Sequence, residues 1–215
     1  MKKKKLLVFT VLIAVLFIFV SSCKTDVKEE VIMKKDDDKA NIAIMVAEGF
    51  QDAEAYMPMG FLYNKGYKLT VIGIETGKVK AYNSEYTIKI QKAISEVSVD
   101  DFDALILPGG KGPAVLRENE KAVDFAGNFF ESGKTIAAIC HGPQVLITAG
   151  VLKDITCTGY SGIKEELQNA GANFVDKEVV TDKNLITSRT PPDLYAFSKT
   201  IAESLKKQLS DKKEK

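Results

Sequence analysis

The chain has 215 residues, 30 Lys and Arg against 29 Asp and Glu, a single His, and 45% hydrophobic residues. The length suits one domain or at most two small ones; the apolar share excludes wholesale disorder, and a net charge of +1 excludes a strongly basic nucleic-acid binder. Cys23, Cys140 and Cys157, none spaced as C-x-x-C, do not make a disulfide framework, and one histidine excludes most histidine-built metal sites.

In chain order, the first segment is an address. Lys2 to Lys5 are basic, Leu6 to Val20 carry no charge, and Val20-Ser21-Ser22-Cys23 follows. This is the layout of an export signal, and the apolar stretch is short for a span of ~20 residues. Val-Ser-Ser-Cys resembles the bacterial lipobox, with Val20 where Leu is usual. That resemblance implies an exported, membrane-anchored lipoprotein, on the periplasmic side or the cell surface, whose lipidated Cys23 becomes the N-terminus. The predicted layout is a signal peptide (1–22), a charged tether (23–39), a domain (40–210) and a charged tail (211–215). The tether, with Asp36-Asp37-Asp38, cannot bury a core.

The body alternates strands and helices. Asn41 to Ala47, Tyr67 to Gly73, Asp103 to Leu107 and Lys134 to Ile139 read as strands, and Lys78 to Ile90 as a hairpin. Asp52 to Lys65 reads as a helix in which Pro58 predicts a kink or a late start. Asn119 to Ser132, a short helix from Cys140 to Ala149, Gly162 to Ala170, and Pro191 to Leu209 complete the helices, with Gly133 and Gly150 as stop signals. Val179 to Thr181 and Leu185 to Ser188 close the strands. The alternation predicts a mainly parallel sheet in a three-layer α/β sandwich, with ligands beyond the carboxyl ends of the strands.

Three segments reach that edge: Glu48 to Glu54, Pro108 to Pro113, and Cys140 to Pro143. Cys140 stands where an apolar strand turns into a helix, a position suited to a nucleophile. The amides and dipole of the helix favour a thiolate there; a buried structural cysteine is the competing reading. His141 is adjacent, although neighbours on a tight turn need not face each other. Glu54 is placed to act as acid or base, or reads as one more surface carboxylate. Gly109-Gly110 offers amides for an oxyanion, or an ordinary turn. Cys157 reads as a structural thiol.

AICHGP (Ala138 to Pro143), ALILPGG (Ala104 to Gly110), Glu48-Gly-Phe-Gln-Asp-Ala-Glu54 and Thr187-Ser-Arg-Thr-Pro-Pro-Asp-Leu-Tyr-Ala-Phe197 occur in the order that resembles the ThiJ/PfpI superfamily, and GIKEELQNAG (Gly162 to Gly171) resembles its PfpI branch. The resemblance spans about Asn41 to Leu205. It implies a flavodoxin-like sandwich, homodimers or higher homo-oligomers, and no metal or organic cofactor. It casts Cys140 as nucleophile, His141 as its companion, Glu54 as the carboxylate on the sulfur, Gly109 and Gly110 as the oxyanion side, and Arg189 as a brace for the loops near the substrate site. Two residues depart from the PfpI pattern. Ala114 stands where a glutamate completes a triad in a neighbouring subunit, and Gln51 stands where another acid is found.

The resemblance implies three kinds of action. The leading one is glutathione-independent glyoxalase or deglycase-like chemistry on small reactive carbonyls. A cysteine peptidase or amidase acting on peptides is the second, with Ala114 against it. A redox-sensing or chaperone-like stress protein is the third. A glutamine amidotransferase is excluded because no histidine follows His141.

Overall fold

The computed structural model describes residues 39–213, so the expected signal peptide and all of the tether but Lys39 lie outside the described residues. Strand β1 (Asn41–Met45) is apolar on both faces: Ile42 and Ile44 pack into one hydrophobic cluster, Ala43 and Met45 into another. A strand of that kind has to be covered on both sides. β6 (Ala104–Leu107) and β7 (Thr135–Ile139) are buried at every position for the same reason.

These three form the middle of a seven-stranded sheet. Its order is β10 (Val179–Asp182), β11 (Leu185–Ser188), β7, β6, β1, β2 (Lys68–Gly73) and β5 (Lys92–Ala93). Every pairing is parallel except β10 on β11. Helices α1 (Asp52–Asn64) and α6 (Leu194–Lys213) cover one face through Leu62, Phe197, Ile201 and Leu205. Helices α3 (Glu120–Glu131), α4 (Pro143–Thr148) and α5 (Lys164–Asn169) cover the other through Phe125, Phe129, Leu146 and Leu167. The short α2 (Gly112–Leu116) adds Leu116 to that second cluster. The result is the mainly parallel three-layer sandwich expected from the alternation, and the flavodoxin-like form implied by the resemblance.

Local chemistry sets the boundaries. Asn119 caps α3, its side-chain oxygen accepting from the Ala122 N–H at 3.1 Å. Gly133 leaves the helix at φ 73°, where a Cβ would be strained. The hairpin reading of Lys78 to Ile90 corresponds to β3 (Gly77–Lys80) antiparallel to β4 (Thr87–Ile90).

Several details differ from the sequence reading. α1 does not start late but begins at Asp52 and runs through Pro58 to Asn64. That proline leaves the Glu54 carbonyl without its intrahelical donor, yet Ala55, Pro58 and Leu62 are buried against the sheet, and their packing offsets the missing bond. β5, β8 (Thr156–Cys157) and β9 (Asn173–Phe174) have two residues each, too few to leave a periodic pattern. The helix read from Gly162 begins as a 3-10 turn at Ser161–Ile163. α6 runs past Leu209 into the supposed tail because Gln208 and Lys212 reach Asp103, the Gln208 amide donating to its carbonyl at 2.9 Å and the Lys212 ammonium to its carboxylate at 2.6 Å. Asp103 also accepts from the Asn41 N–H at 2.9 Å.

Candidate active site

β7 delivers Cys140 into left-handed backbone, at φ 61°. A residue with a side chain costs about 1–2 kcal/mol there. The conformation is pinned from three sides. The Cys140 N–H donates to the Ser188 carbonyl at 3.1 Å, its carbonyl accepts from Tyr160 N–H at 3.0 Å, and the Gly142 N–H closes the turn on Ile139 at 2.8 Å. Gly142 has to be glycine, since a Cβ would run into the Leu107 carbonyl oxygen. Pro143 then opens α4, its missing N–H harmless in the first turn.

Three loops are stitched together around the sulfur. The Gln51 N–H donates to Gly109 at 3.0 Å, the Lys111 N–H to Gly49 at 2.8 Å, and the Tyr82 N–H to Phe50 at 3.2 Å. Gln51 does not stand in for a second acid. It is the N-cap of α1, its side-chain oxygen accepting from the Glu54 N–H at 2.6 Å. That cap places Glu54, fully buried, under the turn, where one carboxyl oxygen accepts from the Gly109 N–H at 2.8 Å. A Cβ on Gly109 would sit 2.7 Å from both the Cys140 Cβ and the Glu54 oxygen, and 2.8 Å from the His141 nitrogen. Gly109 is thus the point where the three groups converge.

Burial pushes the Glu54 carboxyl up to about 7, against the pull of the Gly109 N–H and the Cys140 thiol. Burial first, and then the Glu54 charge, push Cys140 up to about 12, while the N–H groups of Gly110 and His141 favour the thiolate. The expectation of a thiolate favoured by the helix terminus is therefore corrected: burial and a neighbouring carboxylate outweigh the amides. The pair resists carrying two negative charges: it loses its first proton near 7, from Glu54, and keeps the second, on the sulfur, up to about 12. A protonated Glu54 is a donor to the thiolate; an ionised one is a base.

His141 Nδ1 lies 3.3 Å from the Cys140 sulfur, so these adjacent side chains do meet on the turn. The ring also packs on Tyr160, with centroids 4.8 Å apart. Burial pushes its pKa down and the Glu166 carboxylate pushes it up. Tyr82, on the hairpin loop, has its phenol pKa raised by burial and by the nearby Cys140 and Glu54 charges. Arg189 braces loops. Its guanidinium donates twice to Asp193, at 2.8 and 3.0 Å, and once to Asp176, at 2.8 Å. Those bonds commit the side chain to structure rather than to the substrate side. Ala114 is exposed on α2.

Tyr82, Tyr160 and Glu166 were not singled out from the sequence. Each sits on a turn or short helix whose partner is fixed only by the fold, and no spacing rule marks them. Cys157 is buried and, like Cys140, free. At the hairpin loop, a cavity of about 650 Å³ is lined by Tyr82, Lys80, Lys111 and Val115 among others; Cys140 is not among its lining residues.

Comparison with known proteins adds to this picture. Residues 40–204 match the model of the DJ-1/PfpI family. A deglycase of Pyrococcus abyssi is 44% identical over 165 residues, covering 77% of this chain and 99% of that protein. The protein/nucleic acid deglycase 2 of Escherichia coli is 43% identical over 160 residues, covering 74% of this chain and 93% of that protein. The crystal structure of Drosophila melanogaster DJ-1beta is 34% identical and superposes with a TM-score of 0.73, covering 80% of this chain and 95% of that one.

Proposed function

This chain belongs to the DJ-1/PfpI family, and on that footing we propose that it is a cofactor-independent cysteine enzyme with glyoxalase or deglycase-like action on reactive carbonyls. The observation that carries the reading is the buried Glu54 beside Cys140, with the Gly110 and His141 amides aimed at the same sulfur. The names of the Pyrococcus and Escherichia relatives point the same way.

The geometry supports a specific sequence of steps. The Cys140 thiol gives up its proton to His141 or Glu54, and the sulfur bonds to the aldehyde carbon of methylglyoxal. The carbonyl electrons move to oxygen, which the Gly110 and His141 N–H groups cradle. The proton taken from the thiol passes to that oxygen, which leaves Glu54 as a carboxylate; Glu54 then removes the proton from the carbon and returns it to the adjacent one, while the hydroxyl proton shifts to the neighbouring oxygen, leaving a lactoyl thioester. Water hydrolyses the thioester to lactate and restores the thiol. Overall, methylglyoxal and one water become lactate, so no redox partner is required. The cavity beyond Tyr82 offers room for the remainder of a larger carbonyl adduct.

The test is lactate release from methylglyoxal by the full chain in detergent, with Cys140→Ser and Glu54→Gln in parallel. Turnover by the wild type alone supports the reading. An inert wild type whose Cys140 still alkylates would overturn it.

We also propose that the chain is exported and anchored through lipidated Cys23. Lys2 to Lys5, the uncharged run to Val20 and the Val-Ser-Ser-Cys sequence support this. Labelled palmitate should enter the wild type and not Cys23→Ala; equal labelling would refute it. A homo-oligomer is the expected assembly, and a monomer mass by sedimentation would reject it.

A further inference from the structure

We propose that Arg117 is a positioning residue: it locks helix α2 to helix α4 and so holds the 109–111 loop against the Cys140 elbow. The consequence for turnover rests on the carbonyl-enzyme reading; the lock itself does not.

Arg117 stands out in the sequence first. Of the 30 basic residues, only Arg117 and Arg189 are arginines. Lysine serves where a solvated charge is enough, whereas a guanidinium offers several donors in one rigid plane. Arg189 spends its plane on Asp193 and Asp176. Arg117 makes a second such junction. It follows α2 directly, its N–H donating to the Pro113 carbonyl at 3.0 Å. Its Nε donates to the hydroxyl of Thr148, the last residue of α4, at 2.8 Å, and its Nη1 lies 2.6 Å from one oxygen of Glu166 on α5. The other Glu166 oxygen accepts from the Gln144 side-chain amide at 2.7 Å, and the Thr148 hydroxyl donates to the Gln144 carbonyl at 3.2 Å. Arg117, Thr148, Gln144 and Glu166 thus close a ring of hydrogen bonds across α2, α4 and α5.

The helices joined in this way need the tie. α2 has five residues and α4 six, too short to stand on their own bonds, and neither has a side-chain N-cap. Leu116, Val145 and Leu146 bury them against the sheet. Apolar packing has no direction, so the planar fork of Arg117 sets how the two helices lie along each other. Their first turns carry the chemistry. α2 begins two residues beyond Gly110, and the elbow runs into α4, the Gln144 N–H donating to the His141 carbonyl at 3.0 Å. Gly109 is packed so closely on the elbow that a Cβ there would fall 2.7 Å from the Cys140 Cβ and 2.8 Å from the His141 nitrogen. The two segments therefore touch at the sulfur, and Arg117 ties them again roughly 8 Å away, one short helix length. A slip of α2 along α4 would carry the loop with it and take its amides out of line with the sulfur.

The test compares the full chain in detergent as wild type, Arg117→Lys, Glu166→Gln and a control at the exposed neighbour, Glu118→Gln. Arg117→Lys keeps the charge and loses the fork. The ring is half exposed, so melting temperature should move by no more than about 2 °C. Amide hydrogen exchange should quicken several-fold in segments 108–116 and 141–149 of Arg117→Lys and Glu166→Gln. It should keep its wild-type rate in β1, and throughout Glu118→Gln. With methylglyoxal, kcat should fall on the order of 10-fold while KM holds. The double variant should lose no more than either single one, because both break the same ring. Wild-type exchange in both segments overturns the proposal, and so does a wild-type kcat once exchange has quickened, or a double variant whose losses multiply. Quickened exchange in a protein whose wild type makes no lactate upholds the lock and counts against the carbonyl reading alone.

Discussion

Replacing Glu54 with Gln should stabilise the folded protein in proportion to pH. Glu54 is fully buried, and its carboxyl is pushed from 4.5 up to about 7 by that burial. A carboxyl raised in the folded state contributes stability that is fully present below its unfolded pKa and is lost as pH rises through the folded value. The difference between 4.5 and about 7, at about 1.4 kcal/mol per unit, amounts to about 3 kcal/mol by pH 8. Gln keeps an oxygen for the Gly109 N–H and cannot ionise. Any packing penalty of its amide is an offset independent of pH. Stability curves of the two proteins should therefore diverge as pH rises, most of the change falling between about pH 5 and 8, with the variant gaining roughly 5–10 °C in melting temperature at the upper end. Urea or thermal unfolding monitored by circular dichroism across that range measures it. Parallel curves would refute the assignment of a buried, proton-holding Glu54. The same variant should be inactive, which would mark the carboxyl as a functional cost to stability.

Two further substitutions test the elbow and the convergence point. Cys140→Gly should be more stable than Cys140→Ala by about 1 kcal/mol, because glycine alone accepts left-handed backbone freely; equal unfolding midpoints would argue against the φ of 61°. Gly109→Ala should abolish turnover and cost about 1–3 kcal/mol, since its Cβ would fall 2.7 Å from the Glu54 oxygen; wild-type activity in that variant would mean the three groups do not meet there.

The central strands were legible because runs such as ALIL and IAAI are apolar at every position, as the strands of a doubly covered parallel sheet are. The place of Cys140 was legible for a related reason: an apolar run ends on it and Gly142-Pro143 follows. Its protonation was not. A helix terminus is visible in the sequence, but the burial of Glu54 and its position against the sulfur are products of the folded chain. Gln51 illustrates the same limit. Its neutrality was legible, but its work as a helix cap was not, because a side chain that reaches three residues forward cannot be told in the sequence from one that reaches across a cleft. Glu166 and Tyr160 come near His141 only through the packing of α5 beside α4, and a one-dimensional pattern carries no trace of that contact.

Asp103 accepts bonds from Asn41, at the start of β1, and from Lys212, near the end of α6. The first strand and the last helix are thus moored to one residue at the rim where the parallel strands begin. Cys140 lies at the rim where they end, a strand length away, on the order of 15 Å for five residues. The two ends of the described domain therefore both lie at the rim opposite the sulfur. Immobilising the domain by its N-terminus, its C-terminus or both should leave access to Cys140 unimpeded. The same proximity of ends makes a circular permutant, with a short linker across Asp103 and new termini at an exposed turn, a reasonable engineering variant of this fold.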